Sequence, residues 1–558
     1  MVYTGSKTFT ISPPPMATQQ DTSRHDTAHQ DTAHKDAALQ STMENPAVDL
    51  LLDPRNYSER TAKVELVETH ISWIFLTDRY AYKLKKPVCF DFLDFRFSDA
   101  RRTACEDEFR LNRRLAPHVY LGVVPITRGR QGKLAVDGQG TPIDWLVKMR
   151  RLPADRTLEQ LILTGQIKST DTAAVASLLA SFYTRHGPLT ITPGEYLLMI
   201  EDHVRANHIE LAMPRHQLSQ VQVERVSSAQ LRFLCLARKL FDERVCDGRI
   251  VEGHGDLRPE HIYLEHPPAI IDCVEFSKDL RTIDVADELS FLAMECERLG
   301  AENVGQQILD AYCQSSNDHP ARPLLTFYKC YRACVRAKVY ALRATQTSSF
   351  QTRASRNLPM EYIALADKYA AMLGPPLLIV VRGLMGSGKS TLGTELNKSV
   401  HARLLRTDVI RDELFGPNDT LLDYGQGRYR EEDRRSVYDQ LLAQARHHLE
   451  QSVSVILDGT FLTKDLRSQA HGLAQQTGAK LLVIHCDCPE EVARQRIRNR
   501  FAAGQDASEA RPELLTSQIQ EDEPAWPAHH TLRIDTTNPL HRQVDLVLAR
   551  LATDFSWS

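Results

Sequence analysis

Several features are scarce in this 558-residue chain, and each shortage excludes something. No CxxC pair occurs among its 11 cysteines; the nearest neighbours are Cys330/Cys334 and Cys486/Cys488. A disulfide framework and a structural zinc site are therefore not expected, and reduced thiols fit a cytoplasmic protein. Apolar runs are short. Leu377–Val381 is typical, whereas a membrane span needs about 18 apolar residues. The N-terminus has no apolar core of signal-peptide type. Neither charge sign dominates: 68 basic residues face 72 acidic ones, for a net charge of −4. That balance argues against a protein whose main task is to coat nucleic acid.

What remains is ordinary globular composition, 42% hydrophobic and 25% charged, over a length that suggests several domains. Residues 1–45 are polar and carry a degenerate pentad (Asp21-Thr-Ser-Arg-His, Asp26-Thr-Ala-His-Gln, Asp31-Thr-Ala-His-Lys). Such a segment buries too little surface to offset its ordering entropy, so a disordered tail is expected. From 46 to 374 the pattern predicts strands at 64–69, 72–76, 80–85, 121–126 and 145–149. A helix is predicted over 98–115. Mostly helical sequence follows from 158, broken by loops and strands at 253–276. Gly374-Pro375-Pro376 is a sharp stop. From 375 to 558 five short apolar strands alternate with helices, the rhythm of a parallel α/β sheet.

The strongest motif opens this last part. Gly383-Leu-Met-Gly386-Ser387-Gly388-Lys389-Ser390 fits G-x-x-x-x-G-K-[ST], directly after a strand and before a helix predicted to begin at Thr391. Glycines let backbone N–H groups wrap phosphate oxygens, and the helix N-terminus adds partial positive charge. Lys389 is expected on the β/γ-phosphates of ATP and Ser390 on Mg²⁺. Asp408 follows the second strand, with Arg411 three residues on, and Asp458 ends the third. Strand C-termini face the ligand crevice of such a sheet. We assign Asp458 to the metal through water, and Asp408 to the acceptor hydroxyl; helix capping is the simpler alternative for Asp408. Arg494, Arg496, Arg498 and Arg500 read equally as a solvated helix or as a lid over the phosphates.

These segments, with Asp458-Gly-Thr460 and Arg511–Gln518, resemble small P-loop kinases of the AAA, zeta-toxin, gluconate-kinase and polynucleotide-kinase kind. The resemblance implies that Asp408 is the acceptor-activating base and that Arg411 supports it. A nucleic-acid 5′-end kinase is an alternative.

A second constellation precedes it. His254-Gly255-Asp256-Leu-Arg258-Pro-Glu-His261 is followed at hairpin distance by Ile271-Asp272, and then by Asp284-Val-Ala-Asp287. One Asp to orient a hydroxyl and a second to hold Mg²⁺ are what phosphoryl transfer asks for. With Tyr82–Pro87 and Glu108–Pro117, these stretches resemble the aminoglycoside-phosphotransferase-like kinases. The whole chain after the tail resembles bacterial two-part proteins that fuse such a kinase to a P-loop domain.

The resemblance implies a protein-kinase-like bilobal α+β fold for 46–374. Asp256 would be the base and Asp272 the principal metal ligand. Lys83, or Lys85 on the same face, would bind phosphate and pair with Glu108. Asp287 would brace the loop, and 147–152 would form the adenine hinge. The family has Asn where this chain has His261, which would then be the second metal ligand; Mg²⁺ prefers oxygen there. The expectation is thus a cytoplasmic phosphotransferase with two ATP sites and small-molecule hydroxyl acceptors. An inactive, ATP-sensing N-terminal module is the rival.

Overall fold

The computed structural model describes residues 45–69, 71–90, 93–346, 353–416, 430–503, 512–523 and 531–555. The expected tail lies outside them, as does Arg511. The chain divides into two compact units. One comprises residues up to 106 together with 121–151, and the other 107–120 together with everything from 152 onward.

The first unit is built on a six-stranded sheet of β1 (Glu65–Glu68), β2 (Ser72–Leu76), β3 (Tyr80–Lys85), β4 (Tyr120–Arg128), β5 (Leu134–Val136) and β6 (Thr141–Arg150), ordered β1-β2-β3-β6-β4-β5. Helix α1 (Ser98–Asn112) lies between β3 and β4 in sequence and contains the division at 106/107. The core packs Trp73, Phe75, Tyr82 and Leu84 under Ile126 and Leu146. Lys83 pairs in register with Ile74 on one side and Val147 on the other. It shares a strand face with Lys85, which is fully buried with its ammonium over the Phe95 ring.

The second unit begins with helices, including α2 (Ser169–His186), α3 (Pro193–Leu211) and α4 (Gln220–Leu236). Two small antiparallel pairs follow: β7 (Ile250–Glu252) with β10 (Thr282–Asp284), and between them in sequence β8 (Ile262–Tyr263) with β9 (Ala269–Ile270). Helices α5 (Val285–Arg298), α6 (Arg322–Gln346) and α7 (Arg353–Met372) complete this part.

Then comes the expected five-stranded parallel sheet: β11 (Leu377–Arg382), β12 (Arg403–Arg406), β13 (Val455–Asp458), β14 (Lys480–Asp487) and β15 (Thr531–Asp535), ordered β12-β13-β11-β14-β15. Its helices are α8 (Lys389–Val400), α9 (Thr407–Phe415), α10 (Glu431–Glu450), α11 (Glu490–Ala503), α12 (Pro512–Glu521) and α13 (Leu540–Asp554). Every residue of β11 is buried, because helices cover both faces of the central strand. Leu377, Ile379 and Val381 pack with Leu392, Leu396 and Val547, whereas Leu378 and Val380 pack with Ile410, Val437 and Leu441.

The expected boundary at 374/375 falls inside this second unit. Leu236 of α4 belongs to one face of the sheet's core. The buried Arg232 donates to the carbonyl of Gly374 at 2.8 Å.

Candidate functional site

The P-loop conformation follows from its glycines. Gly383, Gly386 and Gly388 all have positive φ (143°, 76° and 87°), which side chains resist. A Cβ on Gly383 would stand 2.4 Å from the Cys486 carbonyl oxygen, and one on Gly386 2.6 Å from that of Ala493. Helix α8 starts at Lys389, two residues earlier than the periodicity suggested, so Lys389, Ser390 and Thr391 form its first turn. The exposed N–H groups of that turn therefore face the loop's concavity.

Lys389 donates to the Leu384 carbonyl at 2.8 Å. Burial pushes its pKa down, and the Asp458 carboxylate opposes that shift. Burial raises the pKa of Asp458, opposed by Lys389 and by a hydrogen bond from the Ser390 hydroxyl. Arg406 Nε stands 3.4 Å from Asp458. Asp408 accepts from Arg411 at 2.9 Å.

Lys389, Ser390, Asp408, Arg411 and Asp458 all line one cavity of about 630 Å³, and Arg406 does not. Gly386, Gly388 and Thr391 line it too, as do Arg434, Tyr438, Thr460, Arg496 and Arg500. The expected carboxylates thus share one crevice with the P-loop. Ser387 lies just beneath, with its carbonyl accepting from Thr536 Oγ1 at 2.8 Å.

The four arginines of α11 separate by role. Arg494 pairs with Glu490. Arg496 grips Thr536, donating to Oγ1 at 3.0 Å and to the carbonyl at 2.8 Å. Arg500 reaches the cavity, and Arg498 does not line it. Sequence reading missed Thr536 and Tyr438. It flagged the stretch ending at Gln518 without a role; that side chain accepts from the Met385 N–H at 2.9 Å and so pins the P-loop's outer turn.

The second constellation is equally compact. Gly255 has φ +85°, and a Cβ there would meet the Leu280 carbonyl at 2.9 Å. The His254 N–H donates to Glu288 Oε1 at 2.6 Å and the Gly255 N–H to the same oxygen at 2.5 Å. Tyr183 donates to Glu288 Oε2 at 2.8 Å. Asp287, the residue expected to brace the loop, takes two hydrogen bonds of 2.7 Å from Arg332, whose other arm points at the Gly255 carbonyl 3.5 Å away. The direct brace is therefore Glu288, which sequence reading missed although it adjoins Asp287.

His254 is fully buried, and burial, then the neighbouring His261, push its pKa down to about 4. Its Nε2–H donates to the Ile271 carbonyl at 2.9 Å. That bond ties the loop to the segment carrying Asp272.

Asp256 Oδ2 lies 2.9 Å from Arg258. Burial would raise its pKa, but Arg258, His261 and Arg336 outweigh that and hold it at about 2. His261 Nδ1 stands 2.9 Å from the Asp256 carbonyl and Nε2 3.0 Å from Arg258. A carbonyl only accepts, so Nδ1 carries a proton toward the Asp256 carbonyl. Nε2 is also 3.6 Å from Asp272 Oδ2. Asp272 holds φ +63°, uncommon outside glycine, and its side chain is 48% exposed. Its N–H points at the Tyr120 hydroxyl, 3.4 Å away, while the next N–H donates to Asn112 at 2.9 Å.

Asp256, His261 and Asp272 thus meet at one spot. Among the described residues no set of three His, Cys, Asp or Glu side chains forms a metal cage. Glu108 is buried on α1 in the second unit and Lys83 on β3 in the first.

Residues 378–524 match the family model described as AAA domain. With the P-loop geometry, this makes the C-terminal part a P-loop nucleotide-binding domain. A sugar kinase from Janibacter sp. HTCC2649 aligns at 20% identity over 33% of this chain and 96% of its own, with a TM-score of 0.26. The Mycobacterium tuberculosis APS kinase CysC in complex with AMPPNP and APS aligns at 20% identity over 32% of this chain and 98% of its own, TM-score 0.26. No helix among the described residues is long and apolar enough to cross a membrane.

The match that runs almost end to end is of another kind. Uncharacterized protein Rv2004c of Mycobacterium tuberculosis and Uncharacterized protein Mb2027c of Mycobacterium bovis are each 32% identical over 514 residues, covering 90% of this chain and 98% of theirs. Both the P-loop part and the His-Gly-Asp part fall within an alignment of that length, and the chain belongs to the family of these mycobacterial proteins.

Proposed function

We propose that the chain is an ATP-dependent phosphotransferase with two sites, each moving the γ-phosphoryl of MgATP to a hydroxyl of a small molecule. One observation supports this most. In a single crevice the glycine-shaped P-loop and Lys389 stand with Ser390 and Asp458, and Asp408 and Arg411 line the same crevice. The first group suits triphosphate and metal, and the second an acceptor.

Ser390 and Asp458 offer oxygen donors suited to Mg²⁺, which when bound neutralises phosphate charge. Lys389 would leave the Leu384 carbonyl for the phosphates. Asp408, steadied by Arg411, would take the hydroxyl proton. Arg500 would approach the transferring group from α11.

The N-terminal part is read as an aminoglycoside-phosphotransferase-like kinase. Asp256 would be its base, Lys83 would bind phosphate, and Asp272 would be the metal ligand. His261 offers nitrogen, which suits Mg²⁺ less well. A small-molecule acceptor fits better than nucleic acid for a chain of net charge −4. A second reading, a nucleotide-sensing module, is favoured by the ion pair that places Arg258 on Asp256.

The test is nucleotide titration of the full chain. Wild type should bind two MgATP, and Lys389→Ala one. Asp256→Ala should retain both but lose one transfer activity. Unchanged stoichiometry in Lys389→Ala would refute the P-loop site, and unchanged turnover in Asp256→Ala would favour the sensing module.

A further inference from the structure

The turn after β13 has a strained shape, and the side chain that holds it borders the P-loop crevice. Asp458 ends the strand, and Gly459-Thr460-Phe461-Leu462 follow. Phe461 is fully buried at φ +46°. A bulky residue in the left-handed region is an outlier, and it persists only where its surroundings over-determine it. Two helices do so here. The buried Arg467, on the helix Lys464–Thr477, donates to the carbonyls of Phe461 at 2.9 Å and Leu462 at 2.7 Å. Tyr438, on α10, accepts from the Phe461 N–H at 3.1 Å and meets its ring edge-on, centroids 5.0 Å apart. Gly459 lets them close up: a Cβ there would stand 2.9 Å from Thr407 Cγ2 and 3.1 Å from the Tyr438 hydroxyl.

The Tyr438 hydroxyl has a second partner. Thr460 Oγ1 lies 3.1 Å away, and either oxygen can be the donor. Two hydroxyls joined by one bond spend one proton on it and keep the other. Among the described residues neither hydroxyl meets a further acceptor at bonding distance, and both residues line the crevice. The remaining proton is therefore left for an oxygen bound in the crevice.

The neighbours of the pair point to the acceptor. Helix α9 carries Asp408 and Arg411, and its Ile410 shares a core with Val437 and Tyr438 of α10. At the start of α9, the Thr407 hydroxyl donates to the Asp458 carbonyl at 3.3 Å, tying that helix to the end of β13. Burial raises the Tyr438 pKa, opposed by its bonds with Thr460 and Phe461 and by the charge of Arg411. The hydroxyl pair thus belongs with the residues assigned to the acceptor. We infer that Tyr438 is a positioning residue of the P-loop site, acting through Thr460, whose hydroxyl it aims at an oxygen of the acceptor.

This rests on the reading of that site as a phosphotransferase. In the step, the acceptor oxygen bonds to the γ-phosphorus, the bond to the β-phosphate oxygen breaks, ADP leaves, and the hydroxyl proton passes to Asp408. The Tyr438–Thr460 pair gives up no proton. It donates one hydrogen bond and fixes the acceptor's pose.

The test uses the full chain carrying Asp256→Ala, so that only the P-loop site transfers. MgATP binding is measured first. A bacterial small-molecule extract is then titrated with γ-labelled ATP, with and without Asp408→Asn. The Asp408-dependent label gives a maximum rate and the extract concentration at half that rate.

Thr460→Val removes one hydroxyl and leaves the Phe461 bond to Tyr438 in place. It should raise the half-saturating concentration about tenfold, one hydrogen bond's worth, with MgATP affinity and maximum rate little changed. Tyr438→Phe keeps the ring and should give a rise of the same size. The double variant should be no worse than either alone, because the two hydroxyls act as one. Thr460→Ser returns the hydroxyl and should recover most of the loss. Unchanged half-saturation in Thr460→Val overturns the inference, as do additive losses in the double variant or a loss confined to the maximum rate. Failure to bind MgATP, or binding without Asp408-dependent label, overturns the underlying phosphotransferase reading and the inference with it.

Discussion

The two constellations hold their loops by opposite means. The P-loop is shaped by what its residues lack: Gly383 and Gly386 pass within contact of neighbouring carbonyls and Gly388 within contact of the Thr536 side chain, and small tethers from Thr536 and Gln518 reach it. The His-Gly-Asp loop is held by what surrounds it, with Glu288 beneath two of its N–H groups and Arg332 beneath a carbonyl. Backbone shape is written in a local motif. Buried scaffolding is supplied by side chains far along the chain, so the two sites should break differently.

The largest effects come from striking each support. Gly383→Ala places a methyl 2.4 Å from the Cys486 carbonyl oxygen at a φ of 143°. MgATP affinity of the P-loop should fall by about 100-fold or more, the strain being of order 1–3 kcal/mol before any clash, while Asp256-dependent activity persists. Glu288→Ala should do the reverse. It leaves two buried N–H groups without their acceptor, at about 1–3 kcal/mol each. Thermal melts and nucleotide titration of both variants check this, and loss of both sites in either one would mean that the loops are not independent.

Next are the two carboxylates proposed as bases. Asp256→Asn and Asp408→Asn should each keep nucleotide binding and reduce their own transfer reaction by ~10²–10⁴. Single-turnover rates with saturating MgATP separate the two. An unaffected rate in Asp408→Asn would leave that residue as a partner for Arg411 only.

How much of this was legible beforehand follows the same division. The P-loop, the five strands and the placement of Asp408 and Asp458 at strand ends were readable, because strand periodicity and a contiguous motif are local. Helix α8 began two residues early because Lys389 and Ser390 carry no distinctive helix-start signal of their own. Glu288, Arg332, Thr536 and Gln518 were not readable as supports: each acts on a loop at a distance in sequence, and nothing local marks a carboxylate as the acceptor for a backbone N–H some 33 residues away. The seating of α4 on the sheet, through Leu236 and Arg232, was hidden for the same reason.

A smaller effect should come from Thr536→Val. The hydroxyl lost there donates to Ser387 and accepts from Arg496. The P-loop keeps its glycines, so MgATP affinity should fall by only about 10-fold, one hydrogen bond's worth. Thr536→Ser should behave as wild type. A loss as large as that of Gly383→Ala would show that tethering, and not glycine geometry, sets the P-loop.

The smallest effect concerns the seam between the helices and the P-loop sheet. His401 follows α8 at φ +50°. Both of its ring nitrogens stand 3.0 Å from Arg205 Nη2, and Glu201 is 3.6 Å away. Burial, then Arg205, lower its pKa, with Glu201 opposing. The sign follows from linkage. Above about 6.5, the ordinary histidine value, both folded and unfolded chains carry a neutral ring and nothing changes. As pH falls below it, the unfolded chain takes the proton first, so stability drops until the folded value is reached. His401→Asn removes the titration and keeps a residue that tolerates left-handed backbone. Thermal melts at pH 7.5 and 5.5 should show wild type losing more stability than the variant over that interval. Equal losses would mean that Glu201 compensates fully and that the seam does not sense protons through this ring.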